Sequence, residues 1–191
     1  MMMVMQQKVS PKQMLTARGL KRFLRNCAGI AAVEFALIFP VMIAFYFGSI
    51  ETTNMLTANR RVTSVAYTAA DITAQATSIS NSDLADIFAA SSAILAPFST
   101  TPLKVRITSV VAYSSNIAKV AWSDGLNIAP RSTGSTVSLP SGLTTAGSSV
   151  IMAEVTYSYV SPISEAITET ITFTDTAYLK PRRAISVART N

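Results

Sequence analysis

The chain has 191 residues, about half of them apolar, a formal net charge of +6, no histidine and one cysteine. That length suits one ordinary domain with appendages, while the missing residue types exclude histidine-based triads, zinc sites built on His or Cys, and an intramolecular disulfide. The charge is not a nucleic-acid footprint. Lys8, Lys12, Arg18, Lys21, Arg22 and Arg25 all precede Ile30 with no acid among them, and from Ile30 onward ten basic residues meet ten acidic ones, whereas duplex binding needs basic side chains gathered on a folded surface.

Residues 1–29 therefore read as a basic leader. Cys27 lies near its end, but a lipoprotein signal would place the apolar stretch before the cysteine, and here it follows. Residues 30–50 read IAAVEFALIFPVMIAFYFGSI, with Glu34 the only charge. As a helix this run is roughly 30 Å long, the thickness of a bilayer's hydrocarbon core. Aromatic residues on all sides leave no polar face for solvent, so a spanning helix is expected over a buried core helix. Pro40 removes one backbone donor and crowds the carbonyl of Ala36, so a kink is expected there. Five basic residues lie within twenty positions before the run and only Arg60 and Arg61 after it, which places the N-terminus in the cytoplasm. Glu51-Thr52-Thr53-Asn54 offers no signal-peptidase site. The expected localisation is a single pass through a bacterial inner membrane, with the C-terminal part periplasmic or carried to a cell-surface pilus.

The basic leader, Cys27-Ala28-Gly29, and the run Ile30-Ala31-Ala32-Val33-Glu34-Phe35-Ala36-Leu37 resemble the type IV prepilin class. The AAVEFAL stretch is especially similar to the TadE-like and TadG-like pseudopilins of Flp (Tad) pili. The resemblance implies a pilin-like subunit or assembly factor, cut by a prepilin peptidase between Gly29 and Ile30, with Glu34 as fifth residue of the mature chain and as the carboxylate used in assembly. It also implies partners: the membrane, the peptidase, and other pilin or pseudopilin subunits with their assembly machinery. The physical logic agrees. A residue without a side chain lets a peptidase approach the backbone closely, and a carboxylate in an apolar run needs a partner, which the new amino group of Ile30 would supply. The plainer readings are a flexible joint at Gly29 and an interfacial charge, favoured by the helix dipole, at Glu34.

Beyond the run, no proline occurs before Pro97 and no glycine between Gly48 and Gly125, so a stalk helix is expected over 51–78. Val62, Val65, Ala66, Ala69, Ile72 and Ala76 form a stripe at helical spacing, facing the chain's own sheet or a partner helix. Ser80 to Ser82 breaks the pattern, and Asp83 and Asp86 open a short helix running to about Ala96; the pair could also be read as a calcium site. From Pro102 the period becomes two, in Leu103-Val105-Ile107, Ala118-Val120-Trp122, Val150 to Tyr159 and Ile171-Phe173. Ser114-Ser115-Asn116 reads as a hairpin turn and residues 127–149 as a long exposed loop. The expected fold is α+β: the spanning helix extended into a stalk, a short helix, and an antiparallel sheet of about four strands, residues 79–191 forming the exported domain.

No Gly-rich phosphate loop follows a strand. Glu154, Glu165, Glu169 and Asp175 lie near expected strands, flanked by Thr and Ser, where acids are usually solvated. Tyr157 and Tyr159 share a strand face and suit core packing or an interface edge. No enzymatic role, cofactor or metal is expected. The alternative function is an unprocessed, membrane-tethered binding module whose loop 127–149 recognises an external ligand.

Overall fold

The computed structural model describes residues 29–114, 117–161 and 170–190. The leader with Cys27, the turn residues Ser115 and Asn116, and the acids Glu165 and Glu169 lie outside them. Helix α1 spans Ile30–Gln75 and passes through Pro40 without a break. It is followed by β1 (Ser78–Ile79), helix α2 (Asn81–Ile94), β2 (Leu103–Ala112), β3 (Ile117–Leu126), β4 (Thr136–Ser138), β5 (Ser149–Tyr159), β6 (Ile171–Leu179) and β7 (Ala188–Arg189). The chain divides into two units, residues 1–49 and 50–191.

In the first unit every described residue is exposed, including all of Ile30 to Ser49. The second unit is α+β. Strands β2 to β6 form an antiparallel sheet of five strands in the order β4-β3-β2-β5-β6. The fifth strand, β4, falls inside the segment expected to be an exposed loop.

One sheet face packs against the helices. Val62, Val65, Ala66 and Ala69 of α1 share a core with Val105, Ile107, Ile151, Ala153 and Val155. Each fully buried valine there contributes roughly 1.5–3 kcal/mol, and the alanines let the helix lie close to the sheet. The stripe thus faces the chain's own sheet, except that Ile72 turns outward and is 40% exposed. Tyr157 and Tyr159 are buried in the same core.

The other face carries a smaller core of Val110, Ala112, Ala118, Val120, Val150 and Met152, closed by Val137 and Leu139 from the 127–149 segment. A register shift in the β2–β3 ladder, where Ser109 pairs with Trp122 but Val110 with Val120, leaves Ala121 as an extra residue. The bulge reverses the strand's parity. Trp122 therefore joins the helix-side core while Ala118 and Val120 face the opposite way, although simple alternation puts all three on one face. Gly125 allows the chain to fold back, since a Cβ there would meet the Ile128 carbonyl at 2.2 Å.

Helix α2 begins at Asn81 with Ser80 as its cap, two residues before the acids expected to open it. The Ser80 hydroxyl accepts from the Asp83 backbone N–H at 3.3 Å, and Asp83 accepts from the Ser80 N–H at 2.8 Å. This reciprocal pair occupies Asp83, whose carboxyl is held low first by the Ser80 N–H and then by the Ser80 hydroxyl. Among the described residues no group of acids or cysteines could hold a metal ion.

The C-terminal segment is a strap with no counterpart in the sequence expectations. β7 pairs in parallel with β1, the Arg182 N–H donates to the Ala74 carbonyl at 2.9 Å, and Trp122 Nε1 donates to the Val187 carbonyl at 2.8 Å. Arg189 adds an ion pair to Asp124 at 3.1 Å and a hydrogen bond to Asn81. The end of α1 is thereby tied to the sheet.

Candidate functional site

The residues singled out for processing and assembly lie at the start of α1. Gly29 precedes the helix, Ile30 is its first residue, and Glu34 follows four positions on, about 6 Å along the axis at 1.5 Å per residue. Glu34 therefore sits just beyond the first turn, which carries no acid. That position weakens the plain reading of a carboxylate placed there for the helix dipole, since the effect fades beyond the first turn. Gly29 is equally unexplained by packing. Its φ is not positive, and a Cβ added there would meet nothing within 4 Å, so nothing in the described fold requires the side chain to be absent.

The apolar surface around these residues is uncovered. Phe35, Leu37, Phe45 and Tyr46 are each 60% or more exposed. A buried core helix would have hidden them. A continuous run of this length and apolarity is long enough to cross a membrane, and one such helix near the N-terminus fits a single-pass membrane protein.

The acids of the sheet are held by neighbours and do not converge on a site. Glu154 accepts from Arg106 Nε at 2.7 Å and from two nitrogens of Arg131 at 2.7 and 3.1 Å. Burial would raise its pKa, but the two guanidinium groups outweigh that and hold it below the usual value. Asp175 faces the helix side, where it accepts from Thr63 Oγ1 at 2.5 Å. Neither is the solvated strand acid that the flanking Thr and Ser suggested. Arg131 also pins the 127–149 segment to β5.

One polar group escaped notice in the sequence. Glu51 is 3% exposed and its Oε1 has no hydrogen-bond partner among the described residues. A lone acid following an apolar run gives no signal of burial, because its neighbour Tyr159 is brought to it by β5, over a hundred residues further along the chain.

An exposed N-terminal helix of membrane length followed by an α+β unit fits a single-pass membrane protein. Residues 29–71 match the family model of TadE-like protein. The matched span opens at Gly29 and ends on α1, leaving the sheet outside it. No curated protein and no solved structure matches the chain.

Proposed function

We propose that the protein is a structural subunit or assembly factor of Tad pilus biogenesis, matured by a prepilin peptidase between Gly29 and Ile30. The observation that carries this reading is that the TadE-like match begins at Gly29, between the stretch that holds the basic excess and the apolar run that starts at Ile30. In this reading the N-terminus is cytoplasmic and the α+β domain lies on the far side of the inner membrane. Glu34 neutralises the amino group that cleavage creates, its own or a neighbouring subunit's, because either charge alone is unfavourable near hydrocarbon. The apolar face of Ile30 to Ile50 supplies lateral packing with lipid, other pilin subunits and the assembly machinery.

The alternative of a tethered module binding through a free 127–149 loop finds less support. Val137, Leu139 and Thr144 of that segment are buried, and Arg131 is engaged with Glu154, so these side chains are taken up by the fold and only the rest of the segment is exposed.

The test is mass spectrometry of the protein from its native membrane. The expected mature chain begins IAAVE, and Gly29→Trp leaves the full-length precursor because the peptidase loses its close approach to the backbone. A Cβ at Gly29 would meet nothing within 4 Å, so the variant is expected to fold, and circular dichroism of the precursor checks this. An intact leader on the wild-type protein, in cells with an active prepilin peptidase, refutes the proposal.

A further inference from the structure

Two surface features of the second unit complement each other. The first is a groove of about 380 Å³ formed by α1, β1 and α2 over the buried Ile79 and Ile87. Ile72, the member of the α1 stripe that turns outward, lines it from α1, and Asp83 and Asp86 line it from α2, with no basic side chain in the lining. Asp83 is held in the cap of α2, whereas Asp86 is exposed and has no ion pair among the described residues.

The second feature is Ile185 in the strap. At 85% it is the most exposed large apolar side chain among the described residues. Its backbone is nevertheless held on both sides. The Arg182 N–H donates to the Ala74 carbonyl at 2.9 Å, Ser149 Oγ donates to the Ile185 carbonyl itself at 2.5 Å, and Val187 is buried. Covering this side chain therefore requires no ordering of the backbone, which removes one cost of association. Lys180 and Arg183 beside it are exposed and have no ion pair among the described residues, while Arg182 is taken by Asp71.

We propose that the groove takes Ile185 of a second copy of this chain, with Arg183 of that copy set against Asp86. The match is one of polarity and charge: an apolar floor meets an apolar side chain, and an acidic rim meets a basic flank. The arrangement follows from the strap's course. Arg182 bonds Ala74 and Ala188 pairs with Ser78, so the strap runs alongside residues 74–78, of which Ala76 and Ser78 line the groove. Ile185 and the groove are thus neighbours on one surface. A two-fold axis between them closes both contacts at once, as in an isologous dimer. The contact uses only residues of the second unit and depends neither on the membrane span nor on processing.

The test uses the full chain in detergent micelles, with Cys27→Ser as background. Chains carrying Ala90→Cys, at the groove, are mixed with separately made chains carrying Ile185→Cys and treated with a short bismaleimide, and joined peptides are identified by mass spectrometry. Positions 90 and 185 of different copies should be joined in high yield. Thr172→Cys, exposed on β6, replaces Ile185→Cys as the control, and equal yields from positions 172 and 185 overturn the proposal. Charge reversal at two exposed side chains gives a second reading by sedimentation equilibrium. The dimer dissociation constant should rise about tenfold for Asp86→Lys and for Arg183→Glu, because each sets like charges against each other. Mixing the two variants should restore the wild-type constant, since the mixed dimer holds one swapped pair and one native pair. Constants unchanged by either reversal overturn the proposal, even where copies still associate through the apolar helix. So does a mixture that stays as weak as its parts, or a wild-type chain that is monomeric.

Discussion

Replacing Glu154 by Gln tests how the second face of the sheet is closed. The carboxylate joins β5 to Arg106 on β2 and to Arg131 in the 127–149 segment through contacts of 2.7 and 2.7 Å, with side-chain exposures of 22%, 20% and 31% respectively. A fully buried pair broken on one side costs about 3–5 kcal/mol and an exposed one about 0–1, so this intermediate case should cost about 2 kcal/mol. For a unit of the size of residues 50–191, that is a drop in melting temperature of about 6–8 °C. The pH dependence gives a sharper check. Glu154 has a folded-state pKa below the ordinary 4.5, so its stabilisation is fully present above that ordinary value and is lost as pH falls through the depressed one. Thermal melts of the full chain in detergent, followed by circular dichroism, should therefore show the whole gap between wild type and Glu154→Gln at pH 7. The gap should close in acid, where the wild-type carboxyl is also neutral. A gap below 2 °C at pH 7, or one that is unchanged at pH 3, refutes the assignment of stability to this ion pair.

Glu34→Gln should be processed normally at Gly29 yet fail to support pili, because the new amino group loses its counter-ion; wild-type surface pili with this variant as the sole copy would reduce Glu34 to a tolerated charge. A reporter active only outside the cytoplasm, fused after Asn191, should be active, and activity of a cytoplasm-only reporter there would reject the topology. Trp122→Phe removes the donor to the Val187 carbonyl, at a cost of about 1–3 kcal/mol for the orphaned acceptor. Limited proteolysis should then release the segment after Pro181 faster, and an unchanged cleavage rate would show that the strap does not depend on this bond.

The N-terminal helix was legible because its information is local. Apolarity, length and the asymmetry of basic residues are properties of consecutive positions, readable without any partner being known. The period-two strands were legible for the same reason, since each half-buried strand writes its two faces into alternate residues. Long-range pairing was not. The parity switch that sends Trp122 to the helix side arises from a bulge measured against β2, and no pattern within β3 alone announces it. β4 was hidden in a segment rich in Gly, Ser and Thr because a three-residue strand is too short to show a period. The strap of residues 180–190 reads as polar tail until β1, Ala74 and Trp122 are seen to receive it.

The amino-acid sequence by itself determined the order of the parts: a basic N-terminal stretch, an apolar helix of membrane length with a lone glutamate, and α+β structure after it. Tertiary structure alone decided which acids are paired and which is not. Glu154, Asp175 and Glu51 look alike in the sequence, each a single carboxylate beside Thr or an apolar residue. Their environments differ because burial and counter-charge come from strands and helices distant in the chain. Two arginines converge on Glu154 and a helix hydroxyl on Asp175, while Glu51 is covered by an aromatic residue that leaves one of its oxygens unpaired.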